Sequence, residues 1–309
     1  MRLRTAFYLS TSFAFFTLLP FALAAQESFS QRDQLAWRTQ HATDLQKPDG
    51  WLSLIGLEWL EPGDTSIGSA QDNKVHLPNT APAHVAVLKL ETDAVTLLPP
   101  SEGFPSGLQI DGSPAKQRAI RADQDKDKFN SHVTIGTLNF YVIKRADKFA
   151  LRIKDAKSPS LLEFHGLKWF EPNPAYRVTA KWTPYVPAKN VSLLTLVGTE
   201  YSEPVPGFAE FTLQGKTFRL EPVLEDPNNT TLFFILRDTT STGTTYPAGR
   251  FLYTTFPTHG VDQPGELVLD FNHLENPPCA YTPYATCPLP PAGNRLPIAL
   301  PVGEQRYHK

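Results

Sequence analysis

Seven polar side chains that end apolar runs carry most of the chemistry open to this chain: Asp238, Arg250, Asp270, Asn272, Asn294, Arg295 and Glu304, all within residues 236–304. A buried polar group without a partner costs roughly 1–3 kcal/mol. Such positions are therefore hydrogen-bonded, solvated or put to use. Asp270 and Asn272 stand two apart at a strand end, so their side chains share one face while Phe271 points to the other. Tyr246-Pro247-Ala248-Gly249 leads into Arg250, and the glycine lets the backbone approach a neighbour or a ligand.

Three readings follow from this pattern. In the first, Tyr246, Arg250, Asn272, Asn294 and Arg295 bind a small polar or anionic ligand, an arginine forking onto its carboxylate or phosphate. In the second, a hydrolase-type enzyme uses Asp238, Asp270 or Glu304 as acid or base, with His165 or His259 assisting. In the third, these groups only lock the fold, with Arg250 and Asp270 as a buried ion pair.

The chain has two cysteines, Cys279 and Cys287, which enclose seven residues and are flanked by prolines. A disulfide is the simplest expectation for an exported chain, and closing so short a loop contributes about 2.5 kcal/mol in the chain-entropy model. A zinc site with His273 and His259 has no common ligand spacing, and a nucleophilic thiol needs a lowered pKa. No G-x-S-x-G, H-E-x-x-H, G-x-G-x-x-G or Walker loop occurs. Ser113-Pro114-Ala115-Lys116 fits S-x-x-K without the companion motifs. Nothing calls for a cofactor or a metal.

The elements that must position these groups read as β. The 309 residues carry a formal net charge of -2, which argues against a nucleic-acid partner, and 29 prolines interrupt short β-branched and aromatic runs. Residues 1–24 read as a signal peptide: Arg2 and Arg4, an apolar run from Phe13 to Leu23, then Ala22-Leu23-Ala24. The expectation is an exported protein, periplasmic or secreted, with no membrane span after cleavage. Residues 25–50 read as an N-terminal helix that packs Leu35 and Trp37 on the body, ended by Pro48-Asp49-Gly50.

Residues 51–155 then give short strands of the sandwich kind, among them Trp51–Ile55, Val85–Leu90 and Leu138–Ile143. Residues 156–309 give a second antiparallel β domain carrying the candidate site, with strands including Thr231–Leu236, Arg250–Phe256, Leu267–Phe271 and Ile298–Val302. Gln214-Gly215-Lys216 reads as a hairpin turn. An aromatic group near the crossing, including Trp169, Tyr176 and Trp182, reads as packing between the halves.

The segments SIGSAQDNKVHLP, APAHVAVL, LQIDGSP and VTIGTLNFYVIKR loosely resemble a forkhead-associated domain over residues 57–145. The resemblance places His84 at that family's packing histidine and Asp111-Gly112 at its Asn-Gly turn. Ser69 and Ala81 stand where its phosphate-binding arginine and serine belong, so the resemblance implies the fold without phosphothreonine recognition. The segments DGWLSLIGLEWLEPG, HGLKWFEPNPAYRV, TYPAGRFL, LDFNHLENPPCAYTPYATCPLPPAGNRLPI and VGEQRY are similar to the bacterial domain-of-unknown-function family 1684. That resemblance runs from residue 49 to 307 and implies no particular chemistry.

Overall fold

A computed structural model describes residues 29–123, 130–225 and 230–307. The expected signal peptide lies outside the described residues. Among those described, no helix is long and apolar enough to cross a membrane.

Helix α1 (Gln31–Leu45) starts where Ser30 accepts a hydrogen bond from the backbone N–H of Asp33 at 3.2 Å, an N-cap that satisfies one orphan donor. Its inner face is not the apolar one expected. Leu35 is 53% exposed, because the face turned to the body is Gln34, Trp37, Arg38, His41 and Leu45. Gln34 and Leu45 are the helix's buried residues. The spacing is helical but the chemistry is polar and aromatic.

The first half forms two sheets. One has six strands in the order β1-β11-β10-β9-β6-β7, namely β1 (Leu54–Trp59), β6 (Gln109–Ile110), β7 (Ser113–Pro114), β9 (Val133–Ile135), β10 (Leu138–Arg145) and β11 (Lys148–Asp155). The other has five in the order β3-β2-β4-β5-β8, namely β2 (Gly63–Gly68), β3 (Val75–His76), β4 (Ala86–Glu91), β5 (Ala94–Leu98) and β8 (Arg118–Ile120). Ile67, Leu88 and Leu97 of one sheet share a core with Val133, Phe140 and Leu151 of the other.

The Asp111-Gly112 turn forms as expected, both residues at positive φ. His84 does not pack in a core: a third exposed, it lies between Asp72 and Glu102. Two charged partners hold it at the surface. Trp51–Ser53 is a 3₁₀ turn rather than the start of the strand, because the backbone first turns back from Gly50.

A short helix, α2 (Pro159–Leu162), opens the second half. Its main sheet runs β14-β13-β12-β17, from β12 (Arg177–Leu194), β13 (Glu200–Leu213), β14 (Lys216–Leu220) and β17 (Gly265–Asp270). β12 is a single 18-residue strand whose register against β13 shifts between Pro184 and Lys189. The hairpin at Gln214-Gly215 joins β13 to β14, both residues at positive φ.

A two-stranded sheet of β15 (Thr231–Leu236) and β16 (Arg250–Thr255) packs on it. Alternation along β15 sends Leu232, Phe234 and Leu236 into that core. Phe233 and Ile235 point to the opposite face with Cys287. Ile298–Val302 is not a strand: Ile298, Leu300 and Val302 enter the core, but the Leu300 and Val302 carbonyls are taken by Arg250 and that of Ile298 by Thr239 N–H.

Candidate functional site

Arg250, Asp238, Asn294 and Asn272 are all buried and hydrogen-bonded in the structure. Arg250 is 1% exposed and donates to Asp238 Oδ2 at 2.8 Å, to Leu300 O at 2.9 Å, and to the carbonyls of Val302 and Glu304. Its partner is Asp238, not Asp270, since the Asp270 side chain belongs to another cluster. Burial pulls the Arg250 pKa down, and the Asp238 charge opposes that pull. Asp238 also accepts from the backbone of Thr240 and Leu300. Gly249 is needed here: at φ +112°, an added Cβ would sit 2.6 Å from Leu236 O.

Asn294 is buried and fully engaged with Glu221 and with Ile235 O. Asn272 is buried too, pinning the backbone of Asn173 and bonding Asp270. Asp270 in turn takes Gln34 Nε2 at 2.8 Å and faces Arg177 Nε at 3.6 Å.

The other candidates scatter. Arg295 and His165 are exposed, although the Arg295 backbone pairs with Arg237, and the His259 ring contacts Pro264 O. Tyr246 donates to Cys279 O at 3.1 Å. Cys279 and Cys287 are brought together but stay free thiols, with the Cys279 backbone N–H donating to Cys287 Sγ at 3.1 Å. The expected disulfide is therefore not formed in this structure. The neighbouring Cys287 side chain lowers the Cys279 thiol pKa, and burial pushes the Cys287 thiol up. Among the described residues, no cluster of three or more His, Cys, Asp or Glu side chains is arranged to hold a metal ion.

A cavity of about 460 Å³ does open between the halves, and of the expected residues only Cys287 lines it. Its size falls in the range of small-molecule pockets. The first half contributes Trp51, Asp123, Arg145 and Arg152. Along β11, Phe149, Leu151 and Ile153 face the sandwich core, so Arg152 must face away from it. The second half then covers that outer face and leaves Arg152 only 4% exposed. The guanidinium packs near the rings of Trp51 and Tyr141, at 5.4 and 5.9 Å, and Nη1 reaches the Tyr141 hydroxyl at 3.5 Å. Nε has no hydrogen-bond partner among the described residues. A buried cation with an idle donor is expensive to keep unless something else meets it.

The second half contributes aromatic walls and carboxylates. Phe233 stacks on Tyr253 at 4.7 Å and meets Phe251 edge-on, and Tyr253 is 45% exposed at the rim. Glu203, Glu225 and Glu275 line the same space. Glu275 follows the 3₁₀ turn Phe271–His273, and its backbone pairs with Phe251 through two hydrogen bonds. Burial raises the Glu275 pKa to about 7, with His41 opposing and Glu304 reinforcing the rise.

Behind Glu275, His41 of α1 bridges two carboxylates. Its Nδ1 lies 3.3 Å from Glu275 and its Nε2 lies 3.4 Å from Glu304. Burial alone would lower the imidazole pKa, but the hydrogen bond and charge of Glu304, with Glu275 and Asp44, raise it on balance. Glu304 is 0% exposed and accepts from Asn276 N, Asn276 Nδ2 and the Tyr281 hydroxyl at 2.8, 2.7 and 2.6 Å. Gly303 makes this approach possible, because a Cβ there would meet Leu274 O at 2.5 Å. Trp37 stacks between His41 and His273, at 5.6 and 4.4 Å.

His41, Arg152 and Glu275 were not singled out in the sequence. The legible signals were an arginine inside the apolar FALRI run and a helix whose inward spacing selects Trp37, Arg38 and His41 instead of aliphatics.

Comparison with known proteins adds the following. Residues 162–305 match the family described as "Protein of unknown function (DUF1684)". No curated protein matches the chain. Among solved structures, an uncharacterized protein of Haloarcula marismortui, determined by solution NMR, is 31% identical, with a TM-score of 0.40; the match covers 46% of this chain and 77% of that one.

Proposed function

We propose that the protein, whose residues 162–305 match the DUF1684 family, binds a small polar ligand in the cavity between its two β halves. One observation carries the reading: Arg152 lines the cavity, 4% exposed, with an Nε–H that no described residue accepts. A guanidinium is the donor best suited to a planar carboxylate or a phosphate oxygen. The ligand site thus moves from the strand ends around Arg250 to the face of β11. A hydrolase-type alternative, with Glu275 as acid and His41 behind it, uses the same cavity.

The protein is further proposed to be exported, on the strength of Arg2, Arg4 and the apolar run that follows. Its first half is proposed to be a forkhead-associated-like sandwich that has lost phosphate recognition, because the Ser69 hydroxyl is spent on the carbonyls of Ala81 and Pro82.

A thermal-shift screen of the mature protein tests the reading, with carboxylates, sugar phosphates, sugars, peptides and a phosphothreonine peptide as probes. At least one carboxylate- or phosphate-bearing small molecule should raise the midpoint, and Arg152→Lys should shrink that shift. The phosphothreonine peptide should behave like its unphosphorylated twin. A screen without hits, or hits indifferent to Arg152→Lys, refutes the cavity as a ligand site.

A further inference from the structure

The charges around the cavity narrow the ligand further. Asp123 and Arg145 pair with one another at 3.3 Å, so they supply little net charge. Apart from them, the lining among the described residues has one cation, Arg152, against the carboxyl groups of Glu203, Glu225 and Glu275. A simple anion on Arg152 would sit against this acidic wall, and a simple cation on the wall would sit near Arg152. Either would meet one favourable and one unfavourable charge in a poorly solvated space. A molecule carrying both charges meets both groups favourably. The same cavity is lined by Trp51, Phe233, Phe251 and Tyr253, which suit an apolar or aromatic body and offer ring faces to an ammonium.

We infer that the cavity takes a zwitterion, an α-amino acid or a dipeptide, with its carboxylate on Arg152 and its ammonium at Glu275. This inference rests on reading the cavity as a ligand site. The volume of about 460 Å³ leaves room for an aromatic amino acid or a dipeptide. Glu275 adds a signature of its own. Its backbone is tied to Phe251, and the charged groups facing it are His41 from α1 and Glu304 from the C-terminal segment. Near neutral pH it is partly protonated, since burial raises its pKa to about 7. An ammonium arriving beside it favours the carboxylate, so binding displaces that proton.

The test is isothermal titration calorimetry at pH 7 in two buffers of different ionisation enthalpy. The probes are the free amino acids and a set of dipeptides, each beside its N-acetyl and C-amide forms. The expected result is binding of at least one free zwitterion, weakened tenfold or more by acetylation and by amidation, with proton release visible as a buffer-dependent enthalpy. Glu275→Gln should abolish the proton release while the protein keeps its fold, and Arg152→Lys should weaken binding of the free form more than of the amide. Equal affinity for free and N-acetylated forms overturns the zwitterion and leaves an anion site. Binding of other screened metabolites, with none of the amino acids or dipeptides, overturns it as well while the broader reading stands. No binding by any probe in either experiment removes both.

Discussion

Replacing Arg250 by methionine gives a sharp measure of how the C-terminal segment is held. The side chain is 1% exposed, and its removal leaves Asp238 buried as a charge without its counter-ion. The carbonyls of Leu300, Val302 and Glu304 lose a donor at the same time. Breaking a buried pair from one side costs about 3–5 kcal/mol. Asp238 keeps its bonds from Thr240 and Leu300, which holds the expected loss near the middle of that range, about 4 kcal/mol. At roughly 2–4 °C per kcal/mol for a chain of this size, the melting midpoint should fall by about 10 °C. Asp238→Asn should fall too, because it strands the guanidinium. The double variant Arg250→Met with Asp238→Leu should recover part of the loss, since no buried charge then stands alone. Differential scanning calorimetry of the three proteins measures this. If both single variants melt within about 2 °C of the wild type, the ion pair does not hold the segment and the reasoning fails.

Two further outcomes are expected. Glu275 has an ordinary pKa of 4.5 and a folded one of about 7, so between those values the folded state holds more protons than the unfolded state. Stability contributed by its protonation is full below pH 4.5 and is lost as pH rises through 7. The raised pKa of His41 acts in the same direction above 6.5. Melting midpoints should therefore decline from pH 5 to pH 8 and decline less in Glu275→Gln; a wild-type midpoint that rises across this window contradicts the assignment. For the cysteines, mild oxidation of the purified protein should join the adjacent thiols of Cys279 and Cys287, leaving an intact mass two hydrogens lighter. Full alkylation of both thiols after that treatment shows that they do not pair.

The fold class was legible because strand alternation and turn chemistry are local. Val85–Leu90, Leu138–Ile143 and Thr231–Leu236 each carry enough β-branched and aromatic residues to declare themselves. Ile298–Val302 is apolar as well but carries Pro301, and its Leu300 and Val302 carbonyls go to Arg250, 50 residues away in sequence from Leu300. No local pattern records such a partner. The Arg250 neighbourhood was legible as a cluster of necessity but not as closed, because sequence does not show that Asp238 rather than Asp270 stands opposite it. The cavity was invisible for a related reason. Arg152 is an ordinary outward residue of β11 until the second half is laid over it, and Glu275 acquires its character only beside His41.

The interlock at Glu304 also fixes an order of assembly. His41 and Gln34 of α1 are held by Tyr281, Glu304 and Asp270, with His41 and Tyr281 240 positions apart and Gln34 and Asp270 236 apart. Those partners lie far along the chain, so α1 docks only on a body that already contains residues 270–304. The imidazole behind Glu275 is thus set by contacts that only the assembled chain provides.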